Sequence, residues 1–253
     1  MEYGLIGEKL GHSYSKIIHE KLADYDYELT PLSKEEFVSF MEARAFKAIN
    51  VTIPYKKDVI PYLDELDDNA QSIGAVNTIV QKDGTLIGHN TDFSGFLYMI
   101  EHNGVEVTGK QVIVLGNGGA AQAVIAVLKY LKAENIIIVK RTGGDGVISY
   151  EDCRKYHSDA QVIVNTSPVG MYPKTDASPI DLSLYQNCEA VLDIIYNPLK
   201  TKLLLQAEEL GIKAVNGLEM LVAQAKYAVE YFLNQKIKNE VIEEVYLEIL
   251  NEI

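Results

Sequence analysis

Three features of the chain predict an α/β fold with two domains. Strand-like and helix-like stretches alternate from one end to the other, as they do in α/β proteins whose sheets are mainly parallel. The 253 residues exceed the roughly 150 typical of one domain. A buried-looking strand, a glycine-rich turn and an apolar helix follow one another directly at 112–131. The expected architecture is two α/β domains separated by a cleft, over residues 1–103 and 104–237. A terminal helix at 238–253 is expected to pack back on the first domain, which carries a mixed, mainly parallel sheet.

In the first domain Glu2–Ile6, Asp26–Thr30 and Ala48–Val51 read as strands, with helices near Tyr14–Ala23 and Lys34–Arg44 between them. Thr78–Val80 and Leu86–Gly88 flank Lys82-Asp83-Gly84, a hairpin signal because Asp-Gly accepts the positive φ of a tight turn. Thr91–Asn103 reads as a helix, broken by Asn103-Gly104 and Thr108-Gly109. A second series follows, with strands at Val112–Leu115, Ile136–Val139, Val162–Asn165 and Ala190–Ile194, and a short one at Lys213–Val215. In Leu218–Asn234 the residues Leu218, Leu221, Val222, Ala225, Val229 and Phe232 share one helical face, and Glu240–Ile253 is amphipathic too. Both stripes read as core.

Composition narrows the partners. With 23 basic and 36 acidic residues the net charge is −13, which repels nucleic-acid phosphates and anionic lipid. No apolar run reaches the roughly 18 residues of a membrane span. The start, MEYGLIGEKLGHS, has neither a basic nor an apolar leader region, so a cytoplasmic address is expected. Cys153 and Cys188 lack CxxC spacing and read as inert thiols. His12, His19, His89, His102 and His157 show no ligand spacing, so no metal is expected. What remains is a small-molecule substrate and a monomer or homodimer.

The strongest local signal is Val112-Ile113-Val114-Leu115-Gly116-Asn117-Gly118-Gly119-Ala120-Ala121, running into the apolar helix Ala120–Leu131. In this G-x-G-x-x-A pattern Gly116 makes the tight turn, Gly118 lets a pyrophosphate approach the backbone, and Ala121 permits close helix–strand packing. The helix N-terminus offers free N–H groups to the anion. A Rossmann-like dinucleotide domain follows. Its second strand ends in Lys140-Arg141-Thr142, without the acid that accepts a ribose 2′-hydroxyl in NAD sites. Arg141 can instead grip a 2′-phosphate bidentately, so the expected cofactor is NADP.

Three polar runs interrupt the first domain: Gly11-His12-Ser13-Tyr14-Ser15, Asn50-Val51-Thr52-Ile53-Pro54-Tyr55-Lys56, and Asn77-Thr78 with Gly88-His89-Asn90-Thr91-Asp92. Singly they suit structural roles; Ser13 reads as a helix cap and Asp92 as a first-turn acid. Jointly they place hydroxyl, amide, ammonium and carboxylate groups at element ends, a mixture suited to a polyhydroxylated acid.

At this point the chain resembles the shikimate dehydrogenase family along nearly its whole length. The resemblance is carried by GHSYS at 11–15, INVTIPYK at 49–56, GAVNT at 74–78, GHNTD at 88–92 and GNGGAA at 116–121. It continues through KRT at 140–142, NTSPVGM at 165–171, DIIYNPLKTKLL at 193–204 and NGLEMLVAQA at 216–225. It implies NADP-linked, reversible reduction of 3-dehydroshikimate to shikimate. It also implies that Lys56 and Asp92 form the catalytic pair and that Ser13 and Ser15 hold the carboxylate. Asn50, Thr52, Asn77 and Gln224 would meet ring hydroxyls, with Tyr196 near the carboxylate. Gly116, Asn117, Gly118, Gly119, Ala120, Ala121, Lys140, Arg141 and Thr142 would contact the cofactor. Thr166, Val169, Gly170, Met171, Gly217 and Met220 would border it toward the nicotinamide.

The chain departs from the family pattern at Lys16, Asn117 and Lys140, where proline, alanine and asparagine are common. The rival readings are a quinate/shikimate dehydrogenase with relaxed cofactor choice, a non-catalytic sensor of such acids, and a folate-linked dehydrogenase. A sensor has no need of Lys56 and Asp92 together.

Overall fold

The computed structural model describes residues 1–11 and 13–252; His12 of the GHSYS run and Ile253 of the last expected helix lie outside the described residues. The chain divides into two compact units, Met1–Gly95 with Val222–Ile253, and Phe96–Leu221.

The first unit runs β1 (Tyr3–Gly7), α1 (Ser15–Leu22), β2 (Tyr27–Pro31), α2 (Lys34–Ala43), β3 (Ala48–Val51), β4 (Glu65–Leu66), α3 (Asp68–Ile73), β5 (Thr78–Lys82) and β6 (Thr85–His89), and α4 (Thr91–His102) begins in it. Its sheet has the order β2-β1-β3-β5-β6-β4. β1 is parallel to β2 and β3, whereas β5 is antiparallel to β3 and to β6. That one reversal brings the start of β5 level with the ends of β3 and β6, pairing Asn50 with Thr78 and Thr78 with His89. All three polar-run segments that flank these strands therefore emerge at one end of the sheet. At the other end β5 and β6 turn through Asp83 and Gly84, with φ of 51° and 84°.

Successive strand residues face opposite ways, and the core follows that alternation. Ile6 and Ile49 pack with Phe37, Met41, Ile79 and Leu86. Their neighbours Leu5 and Ala48 pack with Tyr27, Ala228 and Phe232 on the other face.

The second unit runs β7 (Gln111–Leu115), α5 (Gly119–Tyr130), β8 (Asn135–Val139), α6 (Tyr150–Tyr156), β9 (Val162–Asn165), β10 (Ala190–Asp193), α7 (Lys202–Glu209) and β11 (Lys213–Val215). α8 (Leu218–Leu233) then leads back into the first unit, which ends with α9 (Glu240–Leu250). The second sheet is wholly parallel, in the order β11-β10-β9-β7-β8. The chain steps from β7 to β8 on one side and returns to β9 on the other, making a switch point at the carboxyl ends of β7 and β9. Ile113, Val139, Ile163, Val191 and Leu203 share its buried core.

α3, α6, α7 and the two-residue β4 have no counterpart in the expected element list. The helices are only 6, 7 and 8 residues long, too short for a convincing apolar period. Their N-caps are nevertheless in the sequence: Asp67, Ser149 and Thr201 each accept a first-turn N–H.

Near the C-terminus, α9 lies against α1, where Lys21 pairs with Glu248 at 2.7 Å and Glu252 at 3.1 Å. The bend before α9 is tied by Glu230, which takes Lys226 at 2.7 Å, Lys236 at 3.0 Å and the Ile237 N–H at 2.9 Å.

His19 is buried in this unit, stacked on Tyr27 at 4.0 Å and hydrogen-bonded through Nδ1 to the Tyr25 hydroxyl at 2.8 Å. Burial penalises the imidazolium and pushes its pKa down to about 3. An unfolded chain protonates this ring near pH 6.5, so its contribution to stability is complete above that pH. It is lost as pH falls toward 3, by about 1.4 kcal/mol per pH unit at most. Urea unfolding of His19→Phe between pH 7 and 4 is expected to show a correspondingly shallower acid slope than the wild type. An unchanged slope would assign the acid sensitivity to other groups.

Candidate active site

The turn after β3 is pinned from beneath. Tyr55, 1% exposed, donates its hydroxyl to Leu32 O at 2.6 Å and stacks on Phe37 at 4.3 Å. The Ile53–Pro54 peptide is cis, and Lys56 O accepts the Val76 N–H at 2.8 Å. Held in this way, Lys56 directs its ammonium to Asp92 Oδ2 at 2.5 Å; the two side chains are 19% and 11% exposed. Asp92 Oδ1 accepts Asn77 Nδ2 at 3.0 Å. At the start of α4, Asn77 Oδ1 accepts the Thr91 N–H at 2.8 Å and Asn77 Nδ2 donates to Thr91 Oγ1 at 3.0 Å.

The structure thus brings Lys56, Asp92 and Asn77 together. Asn50 lies directly behind Asn77, 5% exposed, with Nδ2 donating to Asn77 O at 3.1 Å and Thr78 Oγ1 at 3.0 Å. Both of its N–H bonds are therefore engaged within the protein. Thr52 is half-buried, its N–H bonded to Ile6 O at 2.9 Å. Ser13 and Ser15 are half-buried; Ser13 Oγ accepts the Ser15 N–H at 3.2 Å, and the residue at the α1 cap is Tyr14. Lys16 pairs with Glu20 at 2.7 Å and donates to Tyr27 O, which gives the family departure a structural use. Gln224 is half-buried on α8. Thr78 and Thr91 stand in the polar runs without an individual role assigned from sequence, and their hydroxyls complete this cluster. The same holds for Asn90, 3% exposed, which donates to Ala75 O at 2.8 Å while its Oδ1 has no partner among the described residues.

In the second unit, Gly116 has φ of 113°, and a Cβ there would meet Thr166 Oγ1 at 2.7 Å. Thr166 donates that hydroxyl to Leu115 O, locking the ends of β7 and β9 together. A Cβ at Gly118 or Gly119 would meet nothing within 4 Å, and the first turn of α5, which holds Ala120 and Ala121, has no side-chain cap. Asn117 turns back, its Oδ1 accepting Gln122 Nε2 at 2.8 Å. Beyond β8, Lys140 is half-buried with its ammonium near Gly144, and Arg141 and Thr142 are exposed. Burial raises the Tyr150 phenol above its usual range.

The remaining predicted cofactor residues occupy the strand ends. Gly170 has φ of 95° beside exposed Met171, and Val169 O accepts Asn165 Nδ2 at 3.4 Å. Buried Asp193 takes Asn165 Nδ2 at 3.1 Å, the Ile195 N–H at 3.0 Å and the Thr201 hydroxyl at 2.8 Å; burial dominates and raises its carboxyl to about 6. Tyr196, half-buried, follows this anchor. Gly217 must lack a Cβ, which would sit 2.1 Å from Ile194 O, and Met220 is buried. Burial holds both thiols protonated, Cys188 at about 11. Among the described residues no three His, Cys, Asp or Glu side chains gather as a metal site requires, and no helix is long and apolar enough to cross a membrane.

Residues 5–79 match the family model described as the shikimate dehydrogenase substrate binding domain. The chain is 38% identical to the NADP(+) shikimate dehydrogenase of Clostridium perfringens strain SM101, over 98% of this chain and 97% of that protein. Among solved structures, the chorismate mutase/shikimate 5-dehydrogenase fusion protein from Clostridium acetobutylicum is 38% identical and superposes with a TM-score of 0.92, covering 99% of this chain and 97% of the other. Shikimate 5-dehydrogenase from Thermus thermophilus, solved with NADP(H) and shikimate, is 29% identical with a TM-score of 0.86 over 98% and 99%. The chain belongs to the shikimate dehydrogenase family.

Proposed function

We infer that this protein catalyses the NADP-dependent, reversible reduction of 3-dehydroshikimate to shikimate, a step of aromatic amino-acid biosynthesis. The observation that carries the reading is the Lys56–Asp92 pair at 2.5 Å, held largely out of water in a cluster of amides and hydroxyls. A fold that only bound the acid would gain nothing from an ammonium fixed against a carboxylate in this way. The first unit takes the substrate, with Ser13 and Ser15 on its carboxylate and Thr52, Asn77 and Gln224 toward its hydroxyls.

Ketone reduction needs a hydride on carbon and a proton on oxygen. NADPH supplies the hydride when bound. Lys56 donates Nζ–H to the oxygen as negative charge develops there, and in the reverse direction takes it back. Asp92 keeps the amine aimed and compensates its charge, while Asn77 fixes the carboxylate from the other side. The second unit suits the cofactor. The uncapped first turn of α5 and the open backbone at Gly118 and Gly119 offer N–H groups to a pyrophosphate. Arg141, with Lys140 and Thr142, offers cations and a hydroxyl to a 2′-phosphate.

The direct test is absorbance of reduced nicotinamide on mixing protein, shikimate and NADP, with quinate and NAD run in parallel; no turnover with the first combination would overturn the reading. Lys56→Ala is expected to lower kcat by about 10²–10⁴ while shikimate binding stays within a few-fold. Asp92→Asn is expected to lose turnover strongly; lost thermal stability with a normal rate would reduce Asp92 to a structural acid. For Arg141→Ala, the KM for NADP should rise roughly tenfold or more, as expected for a lost charge-assisted contact, with NAD kinetics nearly unchanged. Equal losses with both cofactors would refute 2′-phosphate recognition.

A further inference from the structure

Behind the Lys56–Asp92 pair runs an unbroken line of buried hydrogen bonds that starts at a phenol. Tyr27 on β2 has no exposed surface and donates its hydroxyl to Asn50 Oδ1 at 2.7 Å. Asn50 passes the direction on to Thr78 Oγ1 at 3.0 Å, and Thr78 donates to Asn77 Oδ1 at 3.0 Å. Asn77 donates to Asp92 Oδ1, and the other carboxylate oxygen receives Lys56. Every donor in the series points toward the carboxylate.

Direction matters because a side-chain amide offers an acceptor on one side and donors on the other, and a half-turn exchanges them. The Tyr27 hydroxyl and the Asn77 carbonyl together select the Asn50 orientation with oxygen toward β2. Burial pushes the Tyr27 phenol well above its usual range, so it remains a donor. Thr78, having received an N–H from Asn50, has its single hydrogen for Asn77 Oδ1 at 3.0 Å, nearer than its other neighbour, Thr91 Oγ1, at 3.3 Å. That leaves the Asn77 N–H groups facing Asp92 and Thr91. The phenol itself is clamped by the His19 ring at 4.0 Å and an interplanar angle of 19°. Aligned bonds in a low-dielectric interior polarise and strengthen one another.

We propose that Tyr27 is a positioning residue for proton transfer: its hydroxyl orients the Asn50–Thr78–Asn77 line that holds Asp92 against Lys56. Asn50 then acts from behind the site and not on a ring hydroxyl of the substrate. The proposal rests on the functional reading given above.

Tyr27→Phe deletes one oxygen and keeps the ring. Its kcat with shikimate and NADP is expected to fall about three- to tenfold, with the KM for shikimate and the shikimate-induced thermal shift within about twofold of wild type. Thr78→Val cuts the same line midway and should give the same split, which keeps the test decisive even if one variant folds poorly. Combined, the two should lose no more than the larger single loss, since both break one series. Phe232→Leu, which loosens the same aromatic cluster without touching the line, should lower the thermal midpoint and spare kcat. Unchanged kcat in Tyr27→Phe, additive losses in the double variant, or an equal kcat loss in Phe232→Leu would each overturn the proposal while wild-type activity stands. An inactive wild type would overturn the functional reading and the proposal with it.

Discussion

A lysine whose side chain is only 19% exposed needs an anion beside it, and an aspartate at 11% needs a cation. Isolated charges in such surroundings are expensive, and even a well-matched pair gains little stability over apolar residues of the same size. Its value lies in geometry. The Lys56–Asp92 contact depends on the reversed strand β5, which brings Asn77 to the sheet end where β3 and β6 finish. It also depends on Tyr55, which fastens the turn below Lys56 to Leu32. Sheet register, a buried tyrosine and an asparagine thus converge on one contact.

The second unit meets a different constraint. Its sheet is parallel throughout, so backbone direction alone brings the ends of β7, β8 and β9 to one rim. What the side chains add is mostly permission. Gly116 and Gly217 are positions where a single methyl would collide with backbone or the Thr166 hydroxyl. Asp193 is the exception, a buried carboxylate accepting three hydrogen bonds so that Asn165 and Thr201 keep their places.

The sequence made this fold readable wherever burial is continuous. Ala48–Val51 and Val162–Asn165 have the same bounds in the structure as in the expectation, because strands covered on both faces read as mainly apolar runs, broken here only by Asn50 and Asn165. Short helices escaped, since α3 completes less than two turns and is marked only at its ends, by the Asp67 cap and the left-handed Gly74. The amino and carboxylate groups of the site were legible as polar runs at element ends. Tyr27 was not. It pairs with Tyr3 while Asn50 pairs with Leu5, on opposite sides of β1. The phenol therefore reaches across a whole strand, and only three-dimensional register reveals that two positions 23 residues apart in the chain are partners.

The same reversal that assembles the reactive end sends the β5–β6 connection to the far edge of the sheet. Thr78 and Lys82 are the two ends of one strand, and at about 3.4 Å per residue that strand spans some 14 Å, so the turn at Asp83-Gly84 lies farther than this from the amides. Both turn residues have positive φ, so the loop is as short as a hairpin allows. A reporter peptide spliced into this bend would extend from the protein's back, leaving the chemistry at the opposite rim undisturbed.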